Sequence, residues 1–152
     1  MDVEPIKVGV IGCRVGRAWV AGAKVCDDTV PWAIADLNSE LAETVADEYG
    51  VERVYGDYRA LLEDDAVDAV GVATAPDIRT PMVLDALNAG KHVLVQKPHG
   101  RSAADVEKIN AAAETAGRTL VYAYFMRHVA ENKETRRLIA EGRIGRPYHA
   151  RV

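Results

Sequence analysis

The sequence predicts an α/β protein built on a doubly wound, mostly parallel sheet between two helical layers, three layers in all. Short apolar runs alternate with segments of helical periodicity through most of the 152 residues. One of those runs, Ala66 to Ala73, is almost continuously apolar, as suits a parallel strand covered on both faces. The first run, Val8-Gly9-Val10-Ile11, pours into the turn Gly12-Cys13-Arg14-Val15-Gly16 and then a helix, which is how a chain presents backbone N–H groups to a dinucleotide pyrophosphate.

The elements follow in order. Ile6 to Ile11 is the first strand, and the small residues from Arg17 to Cys26 form the helix after the glycine turn. Trp32 to Ala35 is the second strand, ending at Asp36. Asn38 or Ser39 caps a helix in which Leu41, Ala42, Val45, Ala46 and Tyr49 recur at helical spacing, closed by Gly50. Glu52 to Tyr55 is a third strand, Tyr58 to Leu62 a short helix and Ala66 to Ala73 the fourth strand. A helix from about Ile78 to Ala89 carries Pro81, acceptable there only in the first turn. His92 to Gln96 is the fifth strand. Ser102 and Asp105 have the spacing of a capping box, opening a helix that stops at Gly117. Leu120 to Phe125 is the sixth strand, Glu131 to Glu141 the last helix, and Pro147 to Val152 reads as a new strand cut short. Ligands of such sheets lie beyond the carboxyl ends of the strands, so the loops after Ile11, Ala35, Ala73 and Gln96 are expected to converge.

Composition narrows the function. The chain is 49% hydrophobic and 28% charged, long enough for one core. Its net charge of -4, with acids interspersed among the bases, gives no footprint for nucleic acid. No apolar run approaches the roughly 20 residues that cross a bilayer, and Met-Asp-Val-Glu-Pro is no signal peptide, so the expectation is a cytoplasmic protein with no membrane partner. Cys13 and Cys26 have no metal-ligand spacing and read as reduced thiols, and no metal site is expected.

The glycine turn departs from the usual G-x-G-x-x-G order, which would place glycine at the positions of Arg14 and Arg17. Deleting one residue from the usual turn brings Gly16 into register as the third glycine. Either the contracted turn still binds a dinucleotide, with the Arg14 guanidinium pairing with phosphate, or the arginine crowds the site and the turn is broken. Asp36, 24 residues after Gly12, can accept hydrogen bonds from the adenosine ribose and repel a 2′-phosphate, which favours NAD over NADP. In isolation an Asp after a strand is equally a turn former or helix cap; the glycine turn before it gives it the functional reading.

Further along, Gly90-Lys91-His92-Val93-Leu94, then Lys97-Pro98, with Thr74-Ala75-Pro76 after the fourth strand, resembles the N-terminal domain of the glucose-fructose oxidoreductase, inositol dehydrogenase and rhizopine-catabolism (Gfo/Idh/MocA) family. The resemblance extends to Gly142-Arg143-Ile144-Gly145. It implies a Rossmann-like domain over 1–147, with 148–152 the start of a truncated or absent substrate domain, and an NAD(P)-dependent oxidoreductase moving hydride to or from a hydroxyl-bearing carbon of a sugar or polyol. It also implies Lys97 as the catalytic residue. Gly12, Cys13, Arg14, Val15, Gly16, Asp36, Thr74, Ala75, Pro76, Gln96 and Lys97 are the expected cofactor-binding set. Gln96 departs from the family's usual Glu and removes a negative charge beside Lys97.

Three functions compete on these residues. The first is the cofactor half of a two-domain dehydrogenase, active only with its second domain or a partner. The second is a free-standing nucleotide-binding or redox-sensing scaffold that forms a homo-oligomer. The third is a small complete enzyme with a substrate site across a dimer interface. Of the four histidines only His99, two residues past Lys97, sits where it could matter to chemistry; Lys133, Arg136 and Arg137 read as a solvated helix face.

Overall fold

The computed structural model describes residues 4–149. Its first strand, β1 (Ile6–Ile11), runs straight into α1 (Cys13–Val25), followed by β2 (Thr29–Ala35), α2 (Ser39–Tyr49), β3 (Arg53–Tyr55) and α3 (Tyr58–Leu62). The second half repeats the alternation with β4 (Ala69–Val72), α4 (Pro76–Asn88), β5 (His92–Val95), α5 (Ala103–Ala116) and β6 (Leu120–Tyr122), then a 3₁₀ turn (Phe125–His128) and α6 (Ala130–Ala140). The six strands are parallel in the order β3-β2-β1-β4-β5-β6. The order reverses between β1 and β4, and sheets of this kind bind their ligands beyond the carboxyl ends at such a reversal.

Two apolar layers hold the helices to the sheet. On one face Val20 of α1 and Ala42, Val45 and Ala46 of α2 pack with Val10 and Ile34. On the other, Leu61 of α3, Val83 and Leu87 of α4 and Ile109 of α5 pack with Val70, Val93 and Val95. Both faces of β4 are therefore occupied, which is why its sequence is apolar without alternation.

Local chemistry fixes the ends. Asn38 accepts the Leu41 N–H to cap α2, whose far end closes on Gly50 in the left-handed region at φ 72°. Ser102 caps α5 through the Asp105 N–H, while the Asp105 carboxylate reaches back to the Arg101 N–H, one residue earlier than a reciprocal capping box requires. Pro31, with no N–H to give, lies where the β1–β2 register slips between Val8 and Gly9.

Several elements differ from the sequence expectation. Helix α1 begins at Cys13 rather than Arg17, because Gly12 alone makes the turn. Helix α4 begins at Pro76, so Pro81 lies in its second turn; Pro81 and Asp77, whose carbonyl loses its helical partner, are both exposed, and water can replace the missing donor. Strand β6 stops at Tyr122, and Phe125 opens the 3₁₀ turn. Residues 146–149 have no regular structure, and the rest of the expected final strand lies outside the described residues.

The α1 layer does not reach the far side of the sheet. Trp19 lies over Gly71, and beyond it an open apolar hollow of about 400 Å³ is bounded by Val70, Val93, Leu94 and Val121. Helix α6 packs chiefly against the 3₁₀ turn and has no buried residue.

Candidate functional site

The site assembles from strand ends. Gly12 leaves β1 at φ 93°, a conformation that L side chains rarely adopt, and a Cβ there would lie 3.1 Å from the Ala73 carbonyl carbon and 3.2 Å from the Thr74 methyl. The first turn is thus pressed against the loop after β4, and only glycine fits. The Gly16 N–H donates to the Gly12 carbonyl at 3.0 Å, an ordinary helical bond, so no residue intervenes between turn and helix. A Cβ on Gly16 would lie 2.5 Å from Val10 Cγ1, which makes Gly16 the glycine of close helix–strand packing. Arg17 instead points outward and pairs with Glu48 on α2.

Asp36 closes this turn from the neighbouring strand. One carboxylate oxygen accepts the Cys13 N–H at 2.7 Å and the other the Asn38 N–H at 2.9 Å. Cys13 is the first residue of α1, so the acid sits at the positive end of that helix. Burial first, and the Asp36 charge second, push the Cys13 thiol up to about 11. Arg14 and Val15 follow in the first turn, both exposed; that turn carries no acid, and the Arg14 guanidinium has no ion-pair partner among the described residues. A cation at a helix N-terminus is disfavoured by the dipole unless an anion joins it.

On the β4 side, Ala75 precedes α4 and Pro76 is its first residue. After β5, the Gln96 side-chain oxygen accepts the Lys97 N–H at 2.8 Å and so does not hold the Lys97 ammonium, which is exposed and has no ion-pair partner among the described residues. The sequence reading missed the residue that joins these two loops. Arg79, 3% exposed, donates from Nη1 to the Gln96 carbonyl at 2.9 Å and to the Pro98 carbonyl, and from Nη2 to the Thr74 carbonyl. Burial draws its pKa down. A lone arginine in a helical pattern gives no sign in sequence that it points inward.

Beside this clamp, the His99 ring packs 4.0 Å from that of Tyr122 and 4.7 Å, edge-on, from that of Tyr124. Burial and then the Arg79 charge hold His99 below its ordinary pKa. The buried side-chain polar atoms without a hydrogen-bond partner among the described residues are Thr74 Oγ1, Arg79 Nε, Thr80 Oγ1 and His99 Nε2, all on the segments after β4 and β5. The other expected basic cluster is elsewhere: Arg137 on α6 pairs with Glu134 and Glu141 in solvent.

The expected residues therefore gather in two sets. Gly12, Cys13, Arg14, Val15, Gly16 and Asp36 lie at the ends of β1 and β2, and Thr74, Ala75, Pro76, Gln96 and Lys97 lie at the ends of β4 and β5. The Gly12–Ala73 contact joins the sets.

Comparison with known proteins gives a consistent result. A family described as "Oxidoreductase family, NAD-binding Rossmann fold" (GFO_IDH_MocA) matches residues 6–124. The chain is 35% identical to a 1,5-anhydro-D-fructose reductase of Ensifer adhaerens over 95% of its own length and 44% of that protein. It is 30% identical to a myo-inositol 2-dehydrogenase of Thermotoga maritima over 97% of its length and 44% of that protein. Among solved structures, a 3-ketoreductase from Actinomadura kijaniata in complex with TDP-benzene and NADP superposes with a TM-score of 0.83 at 33% identity, covering 91% of this chain and 44% of that one. A scyllo-inositol dehydrogenase from Lactobacillus casei with bound NAD(H) and scyllo-inositol shares the fold at a TM-score of 0.87 and 23% identity, over 93% of this chain and 43% of that one. The chain spans about 44% of the length of the curated relatives it matches. No helix among the described residues is long and apolar enough to cross a membrane.

Proposed function

The chain belongs to the Gfo/Idh/MocA oxidoreductase family, and from that premise we propose that residues 1–147 are the dinucleotide-binding domain of an oxidoreductase acting on a hydroxyl-bearing carbon of a sugar or polyol. Residues 148–152 begin the substrate domain, and turnover needs that domain or a partner. The observation that carries this reading is the closure of Asp36 onto the first amide of α1, beside a Gly12 turn with no space for a side chain.

The residues present fit such a cofactor. Each Asp36 oxygen uses one lone pair on a backbone N–H and keeps another for a ribose hydroxyl. The Arg14 and Val15 amides and the unpaired Arg14 guanidinium are the donors for pyrophosphate. The Asp36 charge disfavours a 2′-phosphate, so NAD is preferred to NADP. When bound, the nicotinamide supplies the hydride or takes it up. Lys97 would donate a hydrogen bond to the reacting substrate oxygen and stabilise charge developing there, and Thr74, Ala75, Pro76 and Gln96 would hold the nicotinamide half. The uncovered apolar hollow beside Val121 and the unpacked helix α6 are the surfaces that a second domain or a second copy of the chain covers.

Titration of the purified chain with NADH and NADPH, read by tryptophan fluorescence, tests the reading. Saturable NADH binding, weaker NADPH binding and a loss in Asp36→Ala support it. Failure to bind either nucleotide overturns it in favour of a scaffold without dehydrogenase activity.

A further inference from the structure

We propose that Arg79 is a positioning residue for the nicotinamide half of the site, an inference that rests on the dinucleotide reading above. In a sheet of this order the two halves of a dinucleotide lie on either side of the reversal between β1 and β4, so the half away from Asp36 faces the loops after β4 and β5. Past the Val72–Val95 pair the strands share only the bond from the Gln96 N–H to the Val72 carbonyl at 3.1 Å. Beyond that bond one guanidinium links the two loops, bonded to the Thr74 carbonyl on one side and to the Gln96 and Pro98 carbonyls on the other.

The two β5-side acceptors flank Lys97. Arg79 thus grips the peptide group before Lys97 and the one after Pro98, and leaves the Lys97 side chain free to project. A planar fork with fixed donor directions can hold three carbonyls in one arrangement, which a flexible ammonium cannot. Arg79 is too buried to touch a ligand itself, and it acts by setting the spacing of the loops and the direction of Lys97. Thr74 Oγ1, Thr80 Oγ1, His99 Nε2 and the Arg79 Nε itself lie buried in this cluster without a hydrogen-bond partner among the described residues.

Two ligands separate this role from a general structural one: NADH, and ADP-ribose, which has the adenine half and pyrophosphate but no nicotinamide. In Arg79→Lys, NADH affinity is expected to fall about tenfold, with ADP-ribose affinity unchanged. An equal loss for both ligands, or no loss for either, overturns the role of Arg79 and leaves the dinucleotide reading standing. A wild-type chain that binds neither ligand overturns both. Should Arg79→Lys not fold, NMR of the wild-type chain decides: NADH should shift the Arg79 Nε–Hε signal and the Thr74 and Lys97 amides, and ADP-ribose should not. Equal shifts with both ligands, or none with NADH, overturn the proposal.

Discussion

Asp36 and Cys13 meet at 2.7 Å, carboxylate oxygen to backbone nitrogen, across the gap between the ends of β2 and β1. The acid thereby fastens the turn after Gly12 and occupies the start of α1, the place where an anion is most favoured. One side chain serves both the fold and the proposed ribose contact, and the two roles separate by measurement.

Replacing Asp36 with Ala should cost stability of about 1 kcal/mol for the lost cap. It should also weaken NADH about tenfold or more and narrow the preference over NADPH. Thermal unfolding and fluorescence titration of the same variant read the two effects; unchanged NADH affinity would remove Asp36 from the binding site while leaving it as a cap.

Arg14→Gly tests the contracted turn. If the guanidinium pairs with pyrophosphate, the variant binds NADH about tenfold more weakly, and wild-type affinity declines with added salt more steeply than that of the variant. Tighter binding by the variant would show instead that the arginine crowds the site.

The two cysteines should differ sharply toward thiol reagents. With its pKa pushed up to about 11, Cys13 is thiolate in roughly one molecule per thousand at pH 8, and it is buried. Cys26 is exposed. One thiol should react rapidly with an aromatic disulfide in the native protein, and the second only on unfolding; two fast equivalents would contradict the buried position of Cys13.

Asp64 should give the fold part of its acid sensitivity. Burial alone would raise its pKa, but the Ala66 N–H, the Trp32 indole, the Arg53 guanidinium and the Tyr55 hydroxyl outweigh that effect and hold it low. A lowered native pKa means stability that is full above the unfolded value of about 3.9 and lost as pH falls through the native value. Asp64→Asn should therefore be less stable than wild type by about 1 to 3 kcal/mol at pH 7, with the difference shrinking below about pH 4. A gap that stays constant down to pH 3 would rule out the charge as its source.

Gly71 carries no side chain because Trp19 lies on it. A Cβ there would sit 2.7 Å from the indole Cε3. Gly71→Ala should destabilise by about 1 to 3 kcal/mol and alter the tryptophan emission, whereas Gly22→Ala, with open space around it, serves as the control.

What was legible in the sequence follows from range. The strands announced themselves through uninterrupted apolar runs, and the Gly12 to Asp36 pairing through a spacing set by a single βαβ unit. Arg79 was illegible because its partners lie at Thr74, Gln96 and Pro98, and only the parallel pairing of β4 with β5 brings those carbonyls together. The start of α1 was misplaced because the residues from Cys13 to Gly16 look like a loop when measured against a longer turn. Pro81 constrained α4 less than its chemistry implied, since the carbonyl it strands faces water.

The seating of Gly16 against Val10 carries one more consequence. Cys13, Gly16, Val20 and Ala23 form the buried stripe of α1, and its first member adjoins the Gly12 turn. Inserting one glycine between Cys13 and Arg14 would restore the longer turn only by moving Cys13 out of step with Gly16 and breaking the helical bond between Gly16 and Gly12. Turn length and helix seating are thus coupled in this molecule, so a change in its phosphate grip is felt at a buried thiol of the core.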